Sequence, residues 1–370
     1  MEPRPAPEPR FLLDPYLDWA HAEGVPIHQG FGFDLLTVET APWPRLGAAG
    51  ALIMLEGRGD FVDCQLVELA PGAQAEPQRH LYEEVVYVLT GRGSTTIAAG
   101  GRRHSFEWGA GSLFALPPNV RYQHFNTSGR DPARLAAVTS LPLLLKAFHD
   151  QDFVFANDFE FAERMGGAGS YRGEGELIPV RPGRHQWATN FVPDLRSFEL
   201  EAWESRGVGS SNIKFVLADG TMHAHMSELA VGTYKKAHRH GPDFHILPVT
   251  GHGYSLFWRD GDTDYTRIDW RHGWLYAPPD QVWHQHFNTA QKPSRYLAVA
   301  YGSIRYPFTT EKMDLFSNND RSFLAGGRQI EYEDEDPRIG EIFRADLSRH
   351  GVEPDARMVE KWSSRTATAT

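Results

Sequence analysis

Cysteine is nearly absent from this 370-residue chain, in which Cys64 is the single one. A lone cysteine excludes an intrachain disulfide and any cysteine-based zinc or iron–sulfur site. It suits a reducing compartment, so we expect a cytoplasmic protein. Long apolar runs are also lacking, and no stretch approaches the length of a membrane span, so we predict no membrane association.

Positive charge is in deficit, with 37 Lys and Arg against 48 Asp and Glu and a net charge of −11. Nucleic-acid and anionic membrane surfaces require concentrated Lys and Arg, so we expect a small-molecule partner and no nucleic acid. The composition is that of a globular protein rich in turns, with 41% hydrophobic residues, 35 Gly and 25 Pro. At this length, two domains of ordinary size are expected.

The chain contains an internal repeat with an offset of about 160 residues. Each copy has two polar residues spaced by two, a further position four residues on, and a glycine turn. These positions are Gln78, His80, Glu84 and Gly91 in the first copy, and His238, His240, Phe244 and Gly251 in the second. Both copies later contain Gln-His-Phe-Asn, at 123–126 and 285–288. An offset this long matches two copies of a whole domain.

Short apolar runs, rich in β-branched and aromatic residues and punctuated by Gly or Pro, predict antiparallel strands of a sandwich or barrel. Helical signals lie at the ends of the chain. Asp14 and Pro15 are typical of the start of a helix, and Pro337 begins a second candidate. We therefore predict an all-β protein with short N- and C-terminal helical segments, and a frayed tail over the last eight residues.

The glycine, the His-x-His pair, the later acid position and the His-x-x-x-Asn element resemble the two motifs of the cupin family. The chain is thus similar to a bicupin, which implies two tandem double-stranded β-helix, or jelly-roll, barrels. The repeat boundaries predict an N-terminal helical or extended arm (1–45), a first barrel (46–150), a connecting segment (151–190), a second barrel (191–305) and a C-terminal extension (306–370).

The second copy is the predicted metal site. His238 and His240 are two residues apart and share one face of a strand. The resemblance implies His284, four residues before Asn288, as the third ligand. Three imidazoles suit a borderline divalent metal and leave coordination positions open, with Fe(II) expected first and Mn, Ni, Cu or Zn as alternatives. The competing interpretation is a set of buried, hydrogen-bonded histidines.

Phe244 occupies the position of the usual acid, which leaves a three-His set similar to that of gentisate- and salicylate-type dioxygenases. This resemblance implies that His286 is a base facing the substrate. Lys236 is expected on the face of His238, where it could bind a carboxylate or enolate, or else to reach solvent. His245 would be a fourth ligand only if a bulge turned it inward.

The first copy is predicted to hold a degenerate site. It keeps His80 and Glu84, but Gln78 and Tyr122 replace two histidines. An amide is a poor ligand for transition metals, and a phenol with a pKa of about 10 must first lose its proton. We expect a barrel kept for packing, with a non-standard site that includes His124 as the alternative.

The resemblance implies a metal-dependent oxygenase, foremost an iron(II) dioxygenase acting on a hydroxylated aromatic acid or similar enolisable molecule, with dioxygen as co-substrate. Two alternatives stay open: an isomerase or decarboxylase using Mn or Zn, and a non-catalytic small-molecule-binding bicupin. The same barrel supports all of these functions. A homodimer or higher homo-oligomer is also implied.

Overall fold

The computed structural model describes residues 12–181, 184–241, 244–303, 305–306 and 320–368. Within these residues the strands form four sheets, which pair as a large and a small sheet in each of two barrels. The predicted all-β class with tandem barrels is confirmed. Tight turns and short strands follow from the Gly- and Pro-punctuated apolar runs.

The first barrel combines two sheets. Its large sheet contains β1 (Ile27–Gly30), β3 (Ala41–Trp43), β4 (Ala48–Leu55), β5 (Asp63–Leu69), β6 (Glu84–Thr90), β9 (Leu113–Leu116), β11 (Ala133–Thr139) and β14 (Phe191–Val192). Its small sheet contains β7 (Arg92–Ala99), β8 (Arg102–Gly109) and β10 (Arg121–Asn126). The order in the large sheet is β1-β4-β5-β11-β6-β9-β14, and apart from β1 on β4 the pairs are antiparallel.

The second barrel repeats this plan. Its large sheet contains β2 (Gly32–Asp34), β12 (Glu176–Arg181), β13 (Arg184–Thr189), β15 (Glu201–Ala202), β16 (Ser211–Leu217), β17 (Met222–Leu229), β19 (His245–Thr250), β22 (Trp274–Tyr276) and β24 (Ser294–Tyr301). Its small sheet contains β18 (Ala237–His238), β20 (His252–Trp258), β21 (Thr266–Arg271), β23 (Trp283–Asn288) and β25 (Gln329–Ile330).

The two barrels exchange strands across the predicted boundaries. β2, from the N-terminal segment, pairs with β22 of the second barrel. β14, which follows the connecting segment, pairs with β9 of the first barrel. Each large sheet is therefore completed by residues that are closer in sequence to the other barrel.

The large sheets also share one apolar core. Ile53 and Leu66 from the first barrel cluster with Phe215 and Leu297 from the second, and all four are at most 1% exposed. Burial of side chains of this size contributes roughly 1.5–3 kcal/mol each. The barrels consequently pack face to face through the outer sides of their large sheets.

Helices cover the ends of the described chain and its middle. They are α1 (Pro15–Ala22), α2 (Leu141–Phe148), α3 (Gln151–Phe155), α4 (Pro337–His350) and α5 (Ala356–Thr368), with 3-10 turns at Ala162–Met165, Ala168–Tyr171, Glu204–Arg206 and Phe323–Ala325. The predicted start of α1 is confirmed, because the Asp14 carboxylate accepts from the amides of Tyr16 and Leu17. The frayed tail predicted for residues 363–370 is wrong as far as Thr368, because α5 continues to that residue, and the last two residues lie outside the described part.

The repeated asparagine of Gln-His-Phe-Asn has one structural role in both barrels. The amide of Asn126 donates to the carbonyls of Leu69, Ala70 and Asp131. In the second barrel Asn288 donates to the equivalent carbonyls of Leu229, Ala230 and Lys292. This clamp joins two corners of each barrel, so Asn is needed in both copies for the fold.

No helix in the described part of the chain is long and apolar enough to cross a membrane.

Candidate metal centre

The three predicted ligands meet inside the second barrel. One ligand atom from each of His238, His240 and His284 lies within 4.8 Å of the others. The strands bring them together, since His238 in β18 stands directly opposite His284 in β23. His240 follows the end of β18, and its ring centroid lies 5.7 Å from that of His238 and 4.6 Å from that of His284.

Hydrogen bonds orient all three imidazoles in the same sense. Their Nδ1 atoms lie 3.1, 2.8 and 2.9 Å from the backbone carbonyl oxygens of Lys236, Gly241 and Val282, respectively. An Nδ1–H that donates to a carbonyl leaves the Nε2 lone pair free for a metal. The buried Nε2 of His284 has no hydrogen-bond partner among the described residues. The donor set and its orientation therefore fit a divalent metal bound by three neutral imidazoles.

The electrostatics favour the neutral, ligating form of these rings. Burial lowers the pKa of His240 to about 4 and lowers the pKa values of His238 and His284 well below 6.5. The charge of Arg206 lowers all three further. At neutral pH the histidines need not release protons before they bind a metal.

Phe244, which replaces the usual acid, contacts the centre as an aromatic wall. Its ring centroid lies 4.2 Å from that of His240. His245 was expected to be a fourth ligand only if a bulge turned it inward. It lies in β19 on the same face as Leu247 and Val249, which belong to the core between the barrels. No bulge separates it from its neighbours in the pairing with β24 until Pro248. His245 accordingly lies on the opposite side of the strand from the three ligands.

His286 lies near the ligands, with its ring centroid 5.6 Å from that of His284 and 6.0 Å from that of His238. Its Nδ1 is 2.8 Å from Ser255 Oγ, which accepts a hydrogen bond from Trp270 Nε1. Burial and the charge of Lys235 lower the pKa of His286 well below 6.5. The ring is therefore fixed and neutral, with Nε2 directed away from Ser255.

Lys236 does not take the position expected from the sequence. Its ammonium group forms a 2.5 Å ion pair with Glu331 and donates to the Ser205 carbonyl. Its neighbour Lys235 is instead 2% exposed and donates to the Tyr296 hydroxyl at 2.7 Å. The expectation fails because only Ala237 and His238 form the strand, so alternation does not extend back to Lys236.

The corresponding place in the first barrel is closed by hydrogen bonds. His80 Nε2 is 3.0 Å from both Glu84 Oε2 and the Tyr122 hydroxyl, and Tyr122 donates to the same carboxylate oxygen at 3.0 Å. Burial acts to raise the pKa of Glu84, but the hydrogen bond and charge of His80 outweigh it and hold that pKa below its usual value. The Tyr122 hydroxyl is thus bonded to the Glu84 carboxylate oxygen that would otherwise be available to a metal.

The other two first-barrel candidates are also engaged elsewhere. The Gln78 amide donates to the carbonyls of Arg45 and Glu76. His124 Nδ1 is 2.7 Å from Thr95 Oγ1, which accepts from Trp108 Nε1. No group of three potential ligands comes together in the described part of this barrel, so the non-standard site that included His124 is not assembled.

Comparison with known proteins agrees with this architecture. Residues 65–139 match the cupin domain family. The oxalate decarboxylase of Lactobacillus farciminis, solved as a formate complex, superposes with a TM-score of 0.50 at 14% identity, over 78% of this chain and 90% of that one. The chain therefore has the fold of that structure, with two tandem jelly-roll barrels. At this identity the match carries no information on the reaction.

Two further kinds of protein resemble parts of this chain. The L-ectoine synthases of Bordetella avium and Bordetella petrii are each 31% identical over 86 residues, which is 23% of this chain and 62% of theirs. The match therefore spans less than two thirds of those synthases. A Bacillus subtilis oxalate decarboxylase variant superposes with a TM-score of 0.49 at 15% identity, over 74% of this chain and 77% of that one.

The sequence analysis did not identify three basic residues that are buried in the second barrel: Arg206, Lys214 and Lys235. They come from a 3-10 turn, a strand and a loop, so no local motif links them. A position-by-position comparison of the two repeats would have found them, because the matching first-barrel residues are apolar.

Proposed function

We propose that the second barrel is the active site of a metal-dependent enzyme that acts on a small organic acid by a non-oxidative reaction of the decarboxylase or lyase type. The observation that carries this proposal is the convergence of three neutral imidazoles beside buried cations. A divalent metal held by His238, His240 and His284 would act as a Lewis acid toward substrate oxygen atoms. Neutral ligands leave the full metal charge available for that purpose.

The surrounding cations support a non-oxidative reaction over an oxygenase. Arg206 is 4% exposed, and its charge acts on the pKa of each of the three ligands. Positive charge next to a metal stabilises its lower oxidation state and opposes electron donation to dioxygen. The same charge favours a reaction in which negative charge moves onto a substrate oxygen atom near the site, as when a carboxylate loses carbon dioxide and the electron pair left behind forms an enolate.

His286 is proposed to handle the proton. Its Nδ1 is held by Ser255, so Nε2 is the atom that can receive or release a proton on the ligand side. Since His124 has the same kind of partner in the first barrel, the hydrogen bond alone does not indicate catalysis. The support for a catalytic role comes from the neighbouring imidazoles.

An iron(II) dioxygenase, which was the leading expectation from the sequence, is the second candidate. The specific observation in its favour is Phe244, which leaves a three-His set without an acid, as in the gentisate- and salicylate-type enzymes. Mn, Zn and Fe(II) all suit three imidazoles, so metal content alone does not separate the two candidates.

One experiment distinguishes them. The protein is purified anaerobically, its metal content is measured, and small dicarboxylic acids, hydroxy-aromatic acids and β-diketones are supplied with and without dioxygen. We expect product, with carbon dioxide released from the acids, at equal rates in both atmospheres, and none from His284→Ala. Turnover that consumes one dioxygen per product would replace this proposal with the dioxygenase, and metal binding without turnover of any compound would favour a binding protein.

A further inference from the structure

The two barrels can be aligned through their backbone hydrogen bonds. The amide of Ala75 donates to the His124 carbonyl at 2.9 Å, and the amide of Lys235 donates to the His286 carbonyl at 3.0 Å. In the same way, Glu76 N donates to the Leu46 carbonyl, and Lys236 N donates to the Arg206 carbonyl. Lys235 therefore matches Ala75, and Arg206 matches Leu46.

A third pair follows from strand register. Leu52 stands opposite Gln65 in the first barrel, and Lys214 stands opposite His225 in the second. Three positions that are leucine or alanine in the first barrel are thus cations in the second. The first barrel folds with apolar side chains there, so the architecture itself does not require Arg206, Lys214 or Lys235.

Trp203 brings two of these cations to one place. The Arg206 guanidinium carbon lies 4.9 Å from the centre of the Trp203 ring, and Lys235 Nζ lies 5.7 Å from it. Lys235 also donates to the Tyr296 hydroxyl, and the Tyr296 ring centroid is 4.9 Å from that of His286. Lys235 is therefore adjacent to His286, and Arg206 shares the Trp203 ring with Lys235.

Asp320 is a counter-charge that the three basic residues share. It acts on the pKa values of all three, and its carboxylate forms ion pairs with Arg181 at 2.7 Å and with Arg206 at 3.4 Å, while Glu331 also acts on Arg206. The buried Nη1 of Arg206 has no hydrogen-bond partner among the described residues. The guanidinium is paired with Asp320 through Nη2, so Nη1 is a buried donor that could serve an anion.

We propose that Arg206, Lys214 and Lys235 form an anion subsite inside the second barrel, and that its ligand is a small organic dianion such as a dicarboxylate. One end of the dianion would meet the three histidines and their metal, and the other end would meet the cations. The assignment as a substrate subsite rests on the proposed function, whereas anion binding by these residues does not.

The electrostatics of the two lysines agree with this assignment. Burial, together with Arg184 and Arg206, lowers the pKa of Lys214 to about 7, and burial with Arg206 lowers the pKa of Lys235 well below its ordinary value. A carboxylate bound between the cations would favour their charged forms.

The test measures dianion preference by isothermal titration calorimetry on the full-length, metal-loaded protein. The probes are malonate, succinate and phthalate, each compared with its monoamide, which has nearly the same shape and one charge fewer. In the wild type, at least one dianion is expected to bind about tenfold or more tightly than its monoamide, because charge-assisted hydrogen bonds are lost in the amide. No such preference with any of the three pairs would overturn the proposal.

The first barrel supplies the test variants. Arg206→Leu, Lys214→Leu and Lys235→Ala each introduce the residue that the first barrel already carries, and each is expected to reduce the preference while metal content stays unchanged. Arg206→Lys is expected to retain part of it and remains informative where Arg206→Leu does not fold. Lys236→Leu is the matched control, because its ammonium group pairs with Glu331, and it should keep the full preference.

The outcomes for the two proposals are separable. A preference that survives in Arg206→Leu and Lys235→Ala would overturn the subsite, whatever the protein catalyses. A preference that depends on these residues, in a protein without turnover, would keep the anion site and remove the proposed reaction.

Discussion

The two barrels share the same backbone hydrogen bonds at their corners but differ in the side chains that fill their interiors. In the first, Tyr122, His80 and Glu84 close the ligand position with hydrogen bonds, and Leu46, Leu52 and Ala75 fill the space around it. In the second, imidazoles and cations take the corresponding places. The difference teaches that the residues needed for the fold are those which both copies share, and that the candidate chemistry lies where they differ.

The largest effect is expected from removing a ligand. His284→Ala should reduce the bound metal from near one equivalent per chain to roughly a tenth or less, because two remaining imidazoles bind borderline metals far more weakly. Elemental analysis of dialysed protein measures this. His80→Ala is the control from the other barrel and should leave metal content unchanged. Equal loss in both variants would contradict the division between the barrels.

The second prediction concerns restoring a metal site in the first barrel. Gln78→His with Tyr122→His places two imidazoles beside His80 and Glu84 and removes the phenol that occupies the carboxylate. We expect up to one additional equivalent of divalent metal per chain, since a three-nitrogen, one-oxygen donor set is well suited to such ions. The measurement is metal content with near-native circular dichroism. A folded double variant that still binds a single equivalent would show that more than ligand identity separates the barrels.

The third prediction concerns acid stability of the metal-free protein. Burial lowers the pKa of His124 to about 4 from 6.5, so between these values the unfolded chain binds a proton that the folded chain does not. The stabilisation is complete above pH 6.5 and is lost as the pH falls toward 4, by about 3 kcal/mol. Urea unfolding across this range measures it.

The variant His124→Asn removes this titrating group. Its free energy of unfolding should therefore decline less than that of the wild type as the pH falls from 6.5 to 4. The comparison with wild type is needed because burial raises the pKa of Asp63 to about 6, which works in the opposite direction. The same slope in the wild type and the variant would count against a buried, neutral His124.

The smallest effect is expected from one hydroxyl. Tyr122→Phe removes a donor to the Glu84 carboxylate and should lower the free energy of unfolding by about 1.5–3 kcal/mol. Tyr306→Phe is the control, because its hydroxyl bonds to Asp219 at an exposed position, and it should cost about 0.5 kcal/mol or less. Similar costs for both variants would mean that the closed first-barrel cluster adds little stability.

Much of the fold was predictable from local pattern. The Asp14-Pro15 helix start depends on a short local spacing, whereas the barrels and the meeting of His238, His240 and His284 were implied by the repeated motifs that resemble those of cupins. The repeated Gln-His-Phe-Asn stretch also has a physical explanation, because its His and Asn make equivalent hydrogen bonds in both copies.

The remainder depended on tertiary context. Lys236 pairs with Glu331 instead of sharing the face of His238, because the strand after it has only two residues, and the buried Lys235 was not predicted. The second C-terminal helix was missed because its polar sequence gives a weak apolar signal. Arg206 is brought to the site by a turn that is distant in sequence from the ligands, so spacing alone could not have placed it.

The exchanged strands β2 and β14 make the duplication difficult to undo. A protein made from either half alone would lack the edge strand that the other half supplies. Its large sheet would then have an open edge, which is prone to aggregation. The barrel that brings the three histidines together is thereby tied to one whose described residues assemble no such group. We infer that the exchanged strands hold the two barrels together, so that the first barrel is retained in the protein.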